Sequence, residues 1–202
     1  CSSDLPLLDP RLLRSSEGGD GPALALFTRR VAKIFAEYDA LRIDHPHALV
    51  CPWAYRDAPG DAHAAVRAGA RLFETPANSP RSAEHPELAA LSIAHTDQLD
   101  TRNTAHDDAW MRELDEPQVE RYAVLIDRCV ELARSAGREA SDVVCEVLST
   151  QPYPLERALA RHGLGRFRVT QKASVGDPHD VYAPESARPE DWIMEGTHDT
   201  QS

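Results

Sequence analysis

The sequence predicts an α/β fold built on a parallel sheet, either a barrel or a doubly wound sheet. Amphipathic helices and short apolar runs alternate along the chain, which is typical of parallel strands joined by helices. The run at 143–148 is apolar except for one acid, as expected for a strand covered on both faces. Three such runs have a carboxylate at or near their end. Because acids at the carboxyl ends of parallel strands meet at one face, we expect Asp44, Glu146 and Asp199 to share a site.

Each element is predicted from the spacing of its apolar residues and from the Gly and Pro residues at its ends. Residues 1–22 are rich in Gly and Ser and predict a loop. Apolar residues at helical spacing predict helices over 23–38 and 116–136, with Gly137 ending the second. The other predicted elements are, in order, a strand over 40–43, one or two helices at 61–70 and 85–94, an irregular polar segment over 95–109, a strand over 143–148, a helix over 154–163, a strand over 167–170, a Pro-rich loop over 176–190 and a strand over 192–194. Trp110 and Trp192 are predicted to lie in the core.

Bulk properties narrow the class of protein. The 202 residues suffice for one domain with a core. The net charge of −11 disfavours nucleic acid as a partner, since phosphate binding needs a basic surface. The longest apolar runs are too short to cross a bilayer, so we expect no membrane partner. Two of the four cysteines lie in strongly apolar contexts, which indicates buried thiols in a reducing, cytoplasmic compartment. The sequence leaves the oligomeric state open.

Both ends of the chain look cut, and we interpret it as an internal fragment of a longer protein. It does not begin with Met, and its first five residues resemble the in-frame translation of a sequencing adapter, so we interpret them as artefactual. Ser202 follows Asp199 by only three positions. We therefore expect 1–22 to be a loop or upstream remnant and 23–202 to be part of a catalytic domain.

The first two acids lie in contexts that favour opposite roles. Arg42 precedes Asp44 by two residues and shares its strand face, which keeps Asp44 ionised as a nucleophile requires. An ordinary Arg–Asp ion pair at a strand end is the alternative. Glu146 lies within an apolar strand, where lost hydration raises the pKa toward that of a general acid. Its alternative is an ion pair with Arg168 on the next strand.

The third acid and several neighbours complete the candidate set. Asp199 follows Gly196, which permits a tight turn and a close approach of ligand; a helix N-cap is the alternative. Aromatic rings at Trp53 and Tyr55 suit stacking on sugars, or packing of a lid. His45 and His47 form an H-x-H pair that can bind zinc, which leaves a metal-dependent hydrolase as a further alternative. Two carboxylates facing one glycosidic bond, with a third holding the sugar, are typical of retaining sugar-transferring enzymes.

Three motifs together resemble the 4-alpha-glucanotransferases (amylomaltases) of glycoside hydrolase family 77, in the alpha-amylase clan. The R-x-D-H motif matches residues 42–45, the acid/base Glu in an apolar strand matches Glu146, and the G-T-H-D motif matches residues 196–199. By this resemblance Asp44 is the nucleophile, Glu146 the acid/base and Asp199 the residue that holds the distorted sugar. Arg42, His45 and His198 would line the same subsite, with α-1,4-glucans and maltooligosaccharides as substrates and no cofactor or metal.

The resemblance also implies a fold and has departures. The fold would be part of a (β/α)8 TIM barrel, about strands four to seven, with an expanded helical insertion over about 46–115, because the interval between Asp44 and Glu146 is longer than usual. The family's E-D-L-G is replaced by Glu146-Val147-Leu148-Ser149, and Thr200 stands where Asn is usual. A retaining mechanism predicts carboxyl groups about 5–5.5 Å apart. An alpha-amylase-type hydrolase and a non-catalytic glucan-binding relative stay open.

Overall fold

The fold consists of helices and short strands that alternate along the chain. The structure is a computed structural model, and it describes residues 8–56, 60–73, 86–100, 102, 108–174, 176–177 and 179–196. The α-helices in these ranges are α1 (Pro22–Glu37), α2 (His47–Val50), α3 (Ala62–Arg67), α4 (Pro86–Ala89), α5 (Glu116–Ser135) and α6 (Tyr153–Ala160). The strands are β1 (Leu41–Asp44), β2 (Trp53–Ala54), β3 (Ala70–Arg71), β4 (Val143–Glu146), β5 (Phe167–Val169) and β6 (Trp192–Met194).

Within the described ranges, the strands pair in three two-stranded sheets. β1 and β4 are parallel, and Asp44 and Glu146 are the last pair of their register. β5 and β6 are also parallel, whereas β2 and β3 are antiparallel. The N–H of Phe167 donates to the carbonyl of Val147 at 3.0 Å, which links the end of β4 to the start of β5. The α/β prediction is therefore confirmed, although the strands within the described ranges do not close a barrel.

The two longest helices form where their spacing predicts them. α1 begins with Pro22, whose fixed φ suits the first helical position. At the start of α5, the carboxylate of Asp115 accepts from the N–H of Gln118, and the amide oxygen of Gln118 accepts from the N–H of Asp115. Gly137 follows this helix with φ +74°, the left-handed conformation that ends helices.

Several other elements are shorter than predicted. The strand predicted over 143–148 ends at Glu146, because Val147 donates to the carbonyl of Cys145 and its own carbonyl accepts from β5. The helices predicted over 61–70 and 85–94 are limited to α3 and α4. The strand predicted to end at Thr170 ends at Val169, and a 3-10 turn begins there.

One hydrophobic core joins α5 to the parallel strands β1 and β4. Tyr122 and Ile126 of α5 are fully buried within it. Trp110 also belongs to this core and is completely buried, which confirms its prediction. The same prediction for Trp192 is wrong: the residue is 45% exposed, since β6 pairs with β5 on one side only in the described ranges.

The buried cysteines are also part of this core. Cys129 of α5 and Cys145 of β4 are buried thiols, as their apolar contexts predict. Burial raises the pKa of each to about 12, so neither thiol ionises near neutral pH. None of the described helices has both the length and the apolar character needed to span a bilayer.

Candidate active site

The parallel register of β1 and β4 brings two of the predicted acids together. Asp44 and Glu146 are paired at the carboxyl ends of their strands. The Glu146 side chain is only 2% exposed, whereas that of Asp44 is 70% exposed. One oxygen of each carboxyl group and a nitrogen of His45 all lie within 4.8 Å of one another. The site therefore pairs a buried acid with an exposed one.

Arg42 bridges the two acids. Its Nη2 lies 2.7 Å from Oε1 of Glu146 and 3.5 Å from Oδ1 of Asp44. The guanidinium carbon lies 6.0 Å from the centre of the Phe167 ring of β5. The contact of Arg42 with Asp44 follows from their spacing in sequence. The contact with Glu146 was not predicted, because it depends on which strands are neighbours.

Arg168, the alternative partner considered for Glu146, pairs elsewhere. Its Nη2 lies 2.8 Å from Oδ2 of Asp191, and both side chains are buried. The expectation of a Glu146–Arg168 ion pair is therefore wrong. Sequence alternation alone could not separate the two arginines, since each lies in a strand near β4 and only the register distinguishes them.

His45 turns the chain immediately after β1. Its φ of +48° lies in the left-handed region, which is uncommon for residues other than Gly. Nδ1 of His45 lies 3.4 Å from Oδ1 of Asp44 and 3.9 Å from Oε2 of Glu146. Unusual backbone conformations of this kind concentrate at functional sites. The turn brings the imidazole over both carboxyl groups.

The environment moves the pKa values of the two acids in opposite directions. Burial raises the pKa of Glu146, as does its hydrogen bond with Asp44, while Arg42 opposes the rise. The same hydrogen bond lowers the pKa of Asp44, with smaller contributions from His45 and Arg42. Pairs of carboxyl groups whose pKa values diverge are equipped for separate acid and nucleophile roles.

Glu146 is also asymmetric between its two oxygens. Oε1 faces the Arg42 guanidinium, whereas Oε2 is buried and receives no hydrogen bond from an N–H or O–H group in the part of the chain that is described. A proton on Glu146 is therefore more stable on Oε2, away from the positive charge. Oε2 is also the oxygen nearer to His45.

The comparison with known protein families identifies the family of the chain. The family model of the 4-alpha-glucanotransferases, glycoside hydrolase family 77, matches residues 13–202. The chain belongs to this family. It is thus an enzyme of the 4-alpha-glucanotransferase type, with α-glucans as its general substrate class. No curated protein and no solved structure matches the chain.

The third family motif, G-T-H-D at residues 196–199, lies mostly outside the described residues. Gly196 follows β6, and the carbonyl of Glu195 accepts from the N–H of Gln171 at 3.0 Å. His198 and Asp199 lie beyond the described ranges. Their predicted roles in sugar binding stay predictions.

The predicted aromatic residues lie against the segment that follows β2. Nε1 of Trp53 donates to the carbonyl of Val66 at 2.8 Å. A Cβ added to Gly69 would lie 2.5 Å from Nε1 of Trp53 and 3.0 Å from Cβ of Tyr55, so glycine permits this close packing. The substrate roles of Trp53 and Tyr55 in this family 77 chain stay predictions.

His45 and His47, the pair considered for a zinc site, have different partners in the structure. His45 joins Asp44 and Glu146 in a set that could hold a metal ion. His47 instead has its Nε2 3.0 Å from the carbonyl oxygen of Thr150. The guanidinium of Arg42 already supplies a positive charge beside Glu146, which disfavours a second cation there.

Proposed function

We propose that this family 77 chain transfers α-1,4-glucan segments between maltooligosaccharides by a retaining double displacement. Glu146 protonates the glycosidic oxygen of the donor while the Asp44 carboxylate attacks the anomeric carbon. The shortened glucan leaves, and a covalent glycosyl ester on Asp44 remains. Glu146 then takes the proton of an acceptor hydroxyl, which displaces Asp44 and restores both groups.

The observation that supports this proposal most directly is the pairing of Asp44 with Glu146. Retaining enzymes need carboxyl groups about 5–5.5 Å apart, whereas inverting enzymes need about 6.5–9.5 Å to admit a water molecule. An oxygen of each carboxyl group falls within 4.8 Å, which favours the retaining spacing. The raised pKa of Glu146 and the lowered pKa of Asp44 favour the same division of roles.

The remaining site residues have supporting roles in the proposal. Arg42 keeps Asp44 ionised and orients Glu146, which its contacts with both acids support. Arg42, His45 and His198 bind the sugar at the reacting subsite, and Asp199 holds its hydroxyl groups as it distorts. Trp53 and Tyr55 contribute aromatic surface for glucan stacking. These assignments follow the family motifs, and the mechanism needs no metal or organic cofactor.

The proposal also covers the fold and the location of the protein: the chain is part of a TIM barrel, and the protein is cytoplasmic. We assign β1, β4, β5 and β6 to strands four to seven of a TIM barrel, because two parallel pairs and the link from Phe167 to Val147 give that strand order. The segment over about 46–115 is then the expanded insertion. The buried thiols of Cys129 and Cys145 suit a reducing compartment.

Disproportionation of maltotriose tests the proposal. The full-length protein is incubated with maltotriose alone, beside an Asp44→Asn variant of matched thermal stability. We expect glucose and a ladder of longer maltooligosaccharides from the wild type. The variant should lose at least about a thousandfold in rate, since its amide cannot form the glycosyl ester. Equal activity in both proteins would contradict the assignment of Asp44, whereas no product from either protein would favour a glucan-binding relative.

Two alternatives give different results in the same assay. Glucose and maltose without longer products would indicate an alpha-amylase-type hydrolase, in which water replaces the acceptor sugar. The clustering of Asp44, His45 and Glu146 is the observation that keeps a metal-dependent hydrolase open. Stoichiometric zinc in the purified protein, with activity lost on chelation, would favour that class.

A further inference from the structure

The two site strands separate directly after Asp44 and Glu146. His45 turns the chain away from β1, and α2 begins at His47. On the other strand, the carbonyl of Val147 accepts from the N–H of Phe167, so the chain after Glu146 pairs toward β5 instead of β1. The last register pair is therefore also the last backbone connection between β1 and β4. Strand ends without further connection are free to fray.

A side-chain contact joins the two segments beyond this point. Nε2 of His47 lies 3.0 Å from the carbonyl oxygen of Thr150 and 3.4 Å from its hydroxyl oxygen. His47 follows Asp44 by three residues, and Thr150 follows Glu146 by four. Because a carbonyl oxygen only accepts, the imidazole must have its proton on Nε2 to donate.

His47 is well suited to act as a fixed point. The carbonyl of His47 accepts from the N–H of Cys51 at 2.9 Å, which closes the single turn of α2. Val50, in the same turn, is completely buried. α2 packs against both α5 and α6. The backbone of His47 is thus anchored to the core, while its side chain reaches across to Thr150.

We infer that His47 is a positioning residue that ties the segment after Glu146 to the segment after Asp44 and so maintains the separation of the two carboxyl groups. The inference rests on the proposed function of that pair. Catalytic geometry is sensitive to displacements well below 1 Å, so one hydrogen bond at this place affects the rate more than the stability. His47 itself needs no contact with glucan or with the reacting atoms.

Two amide variants test which imidazole nitrogen matters. In His47→Gln the side-chain amide reaches the position of Nε2 and can donate to Thr150, whereas in His47→Asn it reaches only the position of Nδ1. With maltotriose and the full-length protein, we expect His47→Asn to lower kcat on the order of tenfold with little change in KM. His47→Gln should stay within about twofold of the wild type.

The pH profile provides a readout that a purely structural role would not change. Among the described residues, Arg42, Asp44 and His45 are the charged or titratable groups that face Glu146, and none of them is altered in either variant. A looser pair moves Asp44 away from Glu146 and weakens its contribution to the raised pKa of Glu146. The basic limb of kcat/KM should then move to lower pH in His47→Asn and not in His47→Gln. Thr150→Val removes only the hydroxyl and should leave the limb in place.

The outcomes separate this inference from the proposed function. Wild-type kcat and pH profile in His47→Asn would overturn the inference, and so would equal losses in both variants with a raised KM, which would indicate glucan contact. If thermal melting shows that His47→Asn does not fold, His47→Phe, which keeps the ring, replaces it in the comparison with His47→Gln. An active Asp44→Asn protein would contradict the proposed function whatever the His47 variants do.

Discussion

At the scale of single residues, the site depends on unequal burial of two neighbouring acids. Asp44 and Glu146 are paired across β1 and β4, yet one is largely exposed and the other almost fully buried. Equal environments would give two acids that titrate alike and compete for one proton. Unequal burial favours the proton on Glu146, and their mutual hydrogen bond reinforces this preference. The register therefore produces chemistry that neither residue has alone.

Replacing Arg42 should shift the pH dependence of activity. The Arg42 guanidinium lowers the pKa of both acids, so Arg42→Gln should raise both pKa values. Activity rises with pH as Asp44 ionises and falls as Glu146 loses its proton. Both limbs of the kcat/KM profile should therefore move to higher pH. Because the two acids are coupled, the limbs report the pair.

A second arginine provides the control for this measurement. Arg56 pairs with Glu87 at 2.9 Å on the surface and is not among the groups that shift the pKa of Asp44 or Glu146. Arg56→Gln should leave both limbs where the wild type has them. Unchanged limbs in a folded Arg42→Gln protein would mean that Arg42 does not control the titration of the pair.

At the scale of elements, a buried aspartate sets the start of β6. Oδ1 of Asp191 accepts from the N–H of Arg166, and Oδ2 accepts from the N–H of Arg188 and from Nε of Arg168. Arg168 also donates to the carbonyl oxygens of Val181 and Ser186 in the preceding loop. These bonds hold the loop and both strands together. The start of β6, which leads to Gly196, is thereby fixed against β5.

Removing this charge should destabilise the protein in a pH-dependent way. Burial alone would raise the pKa of Asp191, but the N–H groups of Arg166 and Arg188 and the Arg168 guanidinium outweigh it and lower the pKa. Because the pKa of Asp191 is lower in the folded protein than the unfolded value near 3.8, its carboxylate stabilises the fold above about that pH. This stability is lost as the pH falls. Asp191→Asn should cost about 3 kcal/mol at neutral pH in urea unfolding.

The difference in free energy of unfolding between Asp191→Asn and the wild type should also become smaller below about pH 4, because the wild-type carboxylate is then protonated. Asp39→Asn is the matched control, because Asp39 also pairs with an arginine, Arg138, but its side chain is 90% exposed. We expect it to unfold like the wild type, since exposed ion pairs contribute little. A cost for Asp191→Asn that does not depend on pH would contradict the electrostatic account.

The sequence predicts features that depend on one helix or strand alone, and it does not predict features that depend on which strands are neighbours. The helical spacing of α1 and α5 and the apolar run of β4 are local patterns, so their existence could be predicted. The ends of β4 and β5 could not, because hydrogen bonds with other strands determine them. For the same reason, Asp44 and Glu146 could be selected as acids, whereas the bond of Arg42 to Glu146 and that of His47 to Thr150 appear only once neighbours are known.

At the scale of the whole molecule, distant segments share one core. Residues between β1 and α5, among them Val50, Ile93 and Trp110, pack in the same cluster as α5 and β4. Gln118 of α5 also donates to the carbonyl of Ile93 at 3.0 Å. We therefore expect the unfolding of this segment to be coupled to that of the strands that contain Asp44 and Glu146.

Two tryptophans allow this coupling to be measured. Trp110 is completely buried, while Trp192 is 45% exposed. Trp110→Ala should cost about 3–5 kcal/mol, since it removes a large side chain from the shared core. Trp192→Ala should cost far less, because much of that ring already contacts water. Urea unfolding followed by circular dichroism measures both.

In Trp110→Ala, amide exchange in α5 should accelerate together with exchange around Ile93, because one cooperative core contains both. Faster exchange near Ile93 with α5 unaffected would instead mean that the segment unfolds independently of the site strands.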